Sequence, residues 1–364
     1  MRDVLRNTLQ YGDLSFRDFM ELALYHPQSG YYARPENPVG RGADFITAPA
    51  LSPVFSFALS NLVREFVRRN EGAVCSIVDI GCGDGGLIEG VASSGLRVAS
   101  DVRFFGVDRS LSRAIGKGQL ATYVRTLDEV PRDGAHLILS NELYDAFPFA
   151  RLVQRGGHLH ELWIHERDGV LDWVERDAPA AYQDYFSSRG IELAEGQFAD
   201  VSLEWEAFHA DVLRFVERGL VVTIDYGFPA EKLFHPRARR FGTAAAYAGQ
   251  RVSRDLLANP GEQDLTAHIN FSDLQRAGGE TLYFDRLAKF LLSLDVMSHE
   301  LFRPVEESGI TTAEEGIALI DAREAARRLV LPDGIGEEMR VLVQGKNVPS
   351  DGWSFQKPFG VRER

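Results

Sequence analysis

A doubly wound α/β sheet is the fold class this sequence predicts, and three observations predict it. From Cys75 onward, short apolar runs alternate with helical periodicity: SIVDIG, GLIEGVASS, RFFGVD, HLILSNE and LVVTIDYG. Repeated strand–helix–strand alternation is the signature of a parallel sheet covered by helices. A glycine-rich turn, VDIGCGDGG at Val78–Gly86, joins the first strand to the first helix. The later strands end in polar residues at the carboxyl rim, where ligands of such sheets bind.

The elements follow in order. Residues 1–70 read as helical with an embedded loop, and Ser15 opens a helix on whose face Phe16, Phe19, Met20 and Ala23 recur. Pro27–Pro53 is rich in Gly and Pro and reads as a long loop, before Leu51–Val67 returns to helical spacing. Residues 71–364 carry the α/β pattern, with insertions at about 150–215 and 228–268. In the first insertion, LVQRGGHLHELWIHERDGVLDWVE alternates like antiparallel strands joined by GG and DG turns. The second is polar and Arg-bearing, and reads as a lid or substrate loop. FSDLQRAGG is a helix with a glycine stop, TLYFDR a strand and AKFLLSLDV a helix. Thr312 and Glu315 form a capping box ahead of a helix running toward Arg328, and MRVLVQG closes as a strand. Two late strands around a helical excursion suit a terminal antiparallel hairpin.

Composition excludes several classes. The 364 residues carry 53 acidic and 40 basic side chains, a net charge of −13, which argues against a nucleic-acid partner. It sits more easily with a small cofactor or a cationic partner. Two cysteines, Cys75 and Cys82, exclude a disulfide scaffold and leave no C-x-x-C pair for zinc. The start lacks an apolar signal core, and Lys289–Val296 falls far short of a membrane span. These features read as a cytoplasmic chain with no membrane partner.

The glycine turn carries the chemistry. Gly81, Gly83 and Gly85 permit backbone with φ > 0 and close ligand approach. Gly81, Gly83 and Gly86 also fit the dinucleotide spacing, so a nicotinamide or flavin enzyme has to be weighed, as does a purely structural turn. Asp79 separates the readings. A carboxylate two residues before the first glycine suits a cofactor with an ammonium and a sulfonium, whereas Asp79 and Asp84 would repel a pyrophosphate. That cofactor is S-adenosyl-L-methionine. Asp108, closing the next strand, is placed to take the ribose hydroxyls, with a helix cap as its ordinary alternative. Thr126 and Leu127 are placed to flank the adenine, and Asn141 to reach the amino-acid moiety.

Methyl transfer is a displacement at carbon, so the protein mainly aligns the nucleophile, methyl and leaving sulfur. A guanidinium acceptor needs carboxylates to localise and orient its charge. Glu142 is the first acceptor-side candidate, with Asp145 read as a possible helix cap. Asp225 and Tyr226 end another strand at the same rim, and Asp264 and His268 follow in GEQDLTAHINF. A packed loop anchor is the ordinary reading of His268. His158 and His160 form an H-x-H on one strand face, which is weak as a metal pattern; no metal is expected.

GRGADFITAP, the glycine motif, SNELYDAFP, VVTIDYG, GEQDLTAHINF and MRVLVQGK occur in the order seen in the MidA family, which the chain resembles from about Leu14 to Val348. The resemblance implies a Rossmann-like class I methyltransferase fold with an N-terminal helical cap and inserted substrate-side elements. It implies that Gly40, Gly42, Asp44, Phe45 and Thr47 form a loop over the cofactor. The family's mitochondrial member dimethylates an arginine of a respiratory complex I subunit, so a protein arginine substrate is what the resemblance implies here. The chain departs from the family at Asp79, Ile80, Cys82 and Asp84 in the glycine motif, at Ala50 in APALS, and at Gly242–Tyr247, where GTAAAY lacks an Arg. Two further readings stand beside it: a small-molecule N- or O-methyltransferase, and an inactive assembly factor that retains the fold.

Overall fold

The structure is a computed structural model and describes residues 1–33, 52–93, 101–111, 120–249, 251–304 and 312–357. The loop residues Gly40, Gly42, Asp44, Phe45, Thr47 and Ala50 lie outside the described residues. The chain divides into two compact units.

One unit comprises residues Ile46–Leu143, Ala210–Asp225 and Gly278–Arg364, and carries the central sheet. Its strands are β1 (Cys75–Ile80), β2 (Val102–Val107), β3 (Thr122–Val124), β4 (Ala135–Asn141), β5 (Gly219–Phe228), β6 (Glu280–Arg286) and β7 (Met339–Lys346). Their order is β6-β7-β5-β4-β1-β2-β3. β1, β2, β3, β4 and β5 pair in parallel, and β6 with β7 is the antiparallel hairpin expected at the end of the chain. All six residues of β1 are buried, because a parallel strand covered on both faces has no polar side. The helix Pro53–Arg69 packs Phe55, Leu59, Leu62 and Phe66 inward, with the Ser52 hydroxyl accepting from Val54 N at its start. The helix Ala313–Val330 opens on the Thr312–Glu315 capping box.

Register sets the rim. Ile80 pairs with Val107 on one side and Ser140 on the other, and Asn141 pairs with Ile224. The carboxyl ends of β1, β2 and β4 therefore stand within one residue of each other, β5 runs past that level at Thr223, and Asp79, Asp108, Asn141, Glu142 and Asp225 lie within two residues of it.

The other unit gathers the described residues of Met1–Phe45 with Tyr144–His209 and Tyr226–Ala277. The predicted strands of the first insertion form at Ala150–Arg155, His158–Arg167 and Val170–Asp177, in a sheet completed by Leu14–Ser15 and Phe198–Val201. Helix Phe16–Tyr25 begins where Ser15 Oγ accepts from Asp18 N at 3.1 Å, and buries Phe16, Phe19, Met20 and Ala23. The segment expected as a substrate loop is more ordered than its composition suggests. Ala245–Ala248 pairs antiparallel with Arg251–Ser253 and Asp264–Thr266, and Ala244, Ala246, Leu265 and Ala267 join the core of that helix. Polar residues flank short buried runs here, a pattern that sequence periodicity cannot tell from loop.

Candidate functional site

The glycine turn is held by its neighbours. Gly81 N and Cys82 N both donate to Val107 O, at 2.8 and 3.2 Å, and Gly85 N donates to Cys82 O at 2.8 Å. Gly81, Gly83 and Gly85 have φ of 74°, 56° and 79°, the left-handed region that disfavours other residues. Their surroundings differ. A Cβ at Gly81 would stand 2.8 Å from Leu143 Cδ1, and one at Gly85 would collide with the Tyr123 hydroxyl. A Cβ at Gly83 would meet nothing within 4 Å. Gly81 and Gly85 make room for protein; Gly83 alone keeps open space.

Tyr123 is the residue that sequence reading missed. Its hydroxyl donates to Glu89 Oε1 at 3.0 Å, and Glu89 also accepts from Ala121 N at 3.1 Å. Its ring also fills the space over Gly106. Nothing short of the fold would reveal it, because the β3 residue meets the turn only through sheet pairing. Cys82 also faces Gly106, and burial, with Asp79 and Asp108 nearby, pushes its thiol far up, so it stays protonated.

The electrostatics are acidic. Asp79 is 2% exposed and its carboxyl is pushed up from the ordinary 3.8 to about 8, by burial first and then by Asp108 and Asp84. Asp108 Oδ2 accepts from Gly83 N at 3.0 Å and Oδ1 from Ser110 N at 2.8 Å, so it both ties the turn and caps the next one. Each oxygen retains a lone pair for a further donor. Thr126 is exposed beyond β3 and donates its hydroxyl to Glu129 Oε1 at 3.1 Å, with the half-buried Leu127 next to it. Asn141 Nδ2 donates to Glu142 Oε1 at 3.0 Å, while Asn141 Oδ1 is buried with no hydrogen-bond partner among the described residues.

Glu142 has φ 51°, a conformation rare for a non-glycine residue, with its N–H donating to Ile224 O at 2.9 Å. The next N–H, of Leu143, donates to Asp225 Oδ2 at 3.2 Å, and Asp225 is fully buried. Glu142 and Asp225 are thus brought to one rim. No helix follows Asp145, so the capping role considered for it is absent; its carbonyl accepts from Ala267 N at 3.2 Å.

Tyr226, Asp264 and His268 belong to the other unit. Asp264 Oδ1 accepts from the Tyr32 hydroxyl at 2.9 Å and from Leu265 N. His268 N donates to Thr243 Oγ1 at 3.1 Å, and its ring stacks on Tyr226, centroids 6.3 Å apart, and tilts against Phe228 at 5.6 Å. The GTAAAY segment has its own anchor. Asp200, buried, accepts from Thr243 N at 2.6 Å, Ala244 N at 2.8 Å and Arg151 Nη1 at 2.7 Å.

The residues of the glycine turn fit S-adenosyl-L-methionine. A buried carboxylate held up at about 8 gains from a cation beside it, an orphaned amide oxygen wants a donor, and open space stands over Gly83. A pyrophosphate would face three carboxylates.

Comparisons with known proteins agree with this fit. A family profile described as "Putative S-adenosyl-L-methionine-dependent methyltransferase" matches residues 58–288. A crystal structure of a COG1565 superfamily member from Burkholderia thailandensis, bound to S-adenosyl-homocysteine, is 26% identical with a TM-score of 0.83, over 98% of this chain and 94% of that one. The mitochondrial protein arginine methyltransferase NDUFAF7 homolog of Drosophila melanogaster is 27% identical over 299 residues, 72% of this chain and 66% of the relative. The Danio rerio NDUFAF7 is 24% identical over 313 residues, 74% of this chain and 69% of the relative. The chain thus spans about two thirds of the length of these relatives. Their mitochondrial names overturn the cytoplasmic placement expected from cysteine content and the polar start. With the profile covering more than half its length and the strand order and glycine turn in place, the chain belongs to the S-adenosyl-L-methionine-dependent methyltransferase family.

Proposed function

We propose that this protein methylates an arginine side chain of a protein, with a respiratory complex I subunit as the partner that the MidA-family resemblance implies. The left-handed Glu142 carries the reading. Holding a glutamate at φ 51° costs about 1–2 kcal/mol, and its place beside buried Asp225 at the strand rim sets two carboxylates where a cationic acceptor would be oriented. The names of the NDUFAF7 relatives support arginine as that cation.

Asp79, Gly81, Gly83, Gly85, Asp108 and Asn141 are assigned to the cofactor, with Thr126 and Leu127 toward the adenine and Asp44 and Thr47 in the covering loop. When bound, the cofactor supplies a methyl group on a sulfonium. Glu142 and Asp225 hold the acceptor's charge and restrict its rotation. His268, whose ring stacks on Tyr226, is given an acceptor-side role on the strength of the GEQDLTAHINF motif.

Calorimetric titration with S-adenosyl-L-methionine and, separately, NAD tests the cofactor. Incubation with mitochondrial and bacterial complex I peptides, read by mass spectrometry, tests the acceptor. Methylation of a small molecule but of no peptide would remove the protein substrate, and tight cofactor binding without any turnover would favour an assembly factor.

A further inference from the structure

The strand β3 is three residues long and ends the strand order. Its ladder with β2 joins only Thr122 to Phe105, Tyr123 to Gly106 and Val124 to Val107. So short an edge strand is held weakly by its ladder alone. A second support comes from the helix Gly86–Ser93, which starts on the last glycines of the turn, with Glu89 N donating to Gly85 O at 3.0 Å. One turn into that helix, the half-buried Glu89 reaches across to the strand. Its Oε1 accepts from the Tyr123 hydroxyl at 3.0 Å and from Ala121 N at 3.1 Å, and its Oε2 from Leu120 N at 3.3 Å. Charge-assisted bonds of this kind tie the strand to the helix.

The Tyr123 ring is a wedge. Two glycines leave room for it: a Cβ at Gly85 would stand 2.2 Å from the Tyr123 hydroxyl, and one at Gly106 would stand 2.7 Å from the ring. Cys82 Sγ borders the same space, 2.9 Å from a Cβ at Gly106, so the ring meets both β2 and the glycine turn. Val124, the next residue, accepts at its carbonyl from Asp108 N at 3.1 Å, and Asp108 Oδ2 accepts from Gly83 N at 3.0 Å. The strand therefore bears on the turn through Tyr123 and on Asp108 through Val124.

We propose that Tyr123 and Glu89 are positioning residues for S-adenosyl-L-methionine: their hydrogen bond locks β3 against the glycine turn and so fixes the spacing between Gly83 and the Asp108 carboxylate. The proposal rests on the assignment of Gly83 and Asp108 to the cofactor. Tyr123 and Glu89 act through those two residues and need no contact with the cofactor themselves. A site whose parts already stand at the bound spacing loses less on binding, so the pair sets affinity.

Calorimetric titration of the full chain with S-adenosyl-L-methionine and, separately, S-adenosyl-homocysteine tests it. Tyr123→Phe keeps the ring over Gly85 and Gly106 and removes only the bond to Glu89. Affinity for both ligands should fall about tenfold, and by the same factor. Glu89→Gln keeps an amide oxygen for Tyr123 and Ala121, so it should stay within about threefold of the parent, whereas Glu89→Ala should match Tyr123→Phe. Equal loss separates a fixed spacing from a field, because a charge acting on the sulfonium would weaken the methylated ligand more. Parental affinity in Tyr123→Phe, even with a lower melting point, reduces the pair to a brace for the fold and overturns the proposal. A Glu89→Gln variant as weak as Glu89→Ala does the same, as does unequal loss of the two ligands. Gly83→Val tests the cofactor site apart from the clamp. Binding at parental affinity there removes the site assignment, whereas its abolition beside a parental Tyr123→Phe removes only the positioning role.

Discussion

Gly83 and Gly85 share a left-handed backbone, yet what stands over each decides what a side chain would do there. At Gly85 a methyl group must displace Tyr123 from its hydrogen bond to Glu89. Gly85→Ala should therefore cost about 2–4 kcal/mol of stability in chemical denaturation. Gly83→Val, by contrast, should fold with a loss of about 1–2 kcal/mol from its φ of 56° and bind no S-adenosyl-L-methionine in calorimetry. Undiminished affinity would move the cofactor elsewhere. Asp79 makes the opposite trade. Its folded pKa of about 8 lies above the ordinary 3.8, so the folded state holds the proton more tightly, and the carboxyl withdraws stability as pH rises from about 4 to about 8. Asp79→Asn should melt higher than the parent at pH 8 and equally at pH 4. Its affinity for the cofactor should fall about ten- to a hundredfold, the worth of a charged hydrogen bond.

At the scale of elements, β4 and β5 were both readable from sequence, since buried apolar runs ending in SNE and DYG leave few alternatives. What followed β4 was not. In SNELYDAFP, Asp145 reads as a helix cap, yet no helix follows it, and Glu142 turns left-handed, its N–H and that of Leu143 donating to Ile224 O and Asp225 Oδ2 of the neighbouring strand. Glu142→Asn, a residue more tolerant of that conformation, should match or exceed parental stability and lower turnover about tenfold or more, with cofactor affinity retained. A variant with full turnover would take Glu142 out of the acceptor role. The GTAAAY segment makes the same point. Its alanines looked like an eroded loop, but Ala244 and Ala246 are buried against helix Phe16–Tyr25, and Asp200 grips the backbone before them. Asp200→Asn should cost about 2–4 kcal/mol, because the half-buried Arg151 loses its partner.

For the whole molecule, ligand binding couples to folding by mass action. At a cofactor concentration about a hundredfold above Kd, stabilisation should be about 2.7 kcal/mol, seen as a melting point several degrees higher, with NAD giving none. A chain of net charge −13 should also lose affinity for a cationic peptide as salt rises, since screening weakens its attraction to the acceptor carboxylates. The alternation of apolar strands and helices determined the sheet, because burial on both faces permits no other reading of VDIG, HLIL and VVTI. The acid before the glycines determined the sign of the ligand's charge, because a carboxylate repels phosphate wherever the loop lies. Only the tertiary structure decided which glycine faces open space and which accommodates Tyr123, because that depends on a side chain from a strand some forty residues downstream. It also decided that Lys232–Phe241 is an ordered basic turn, since its order comes from bonds to Phe198 and Arg151 that no local pattern in the sequence encodes.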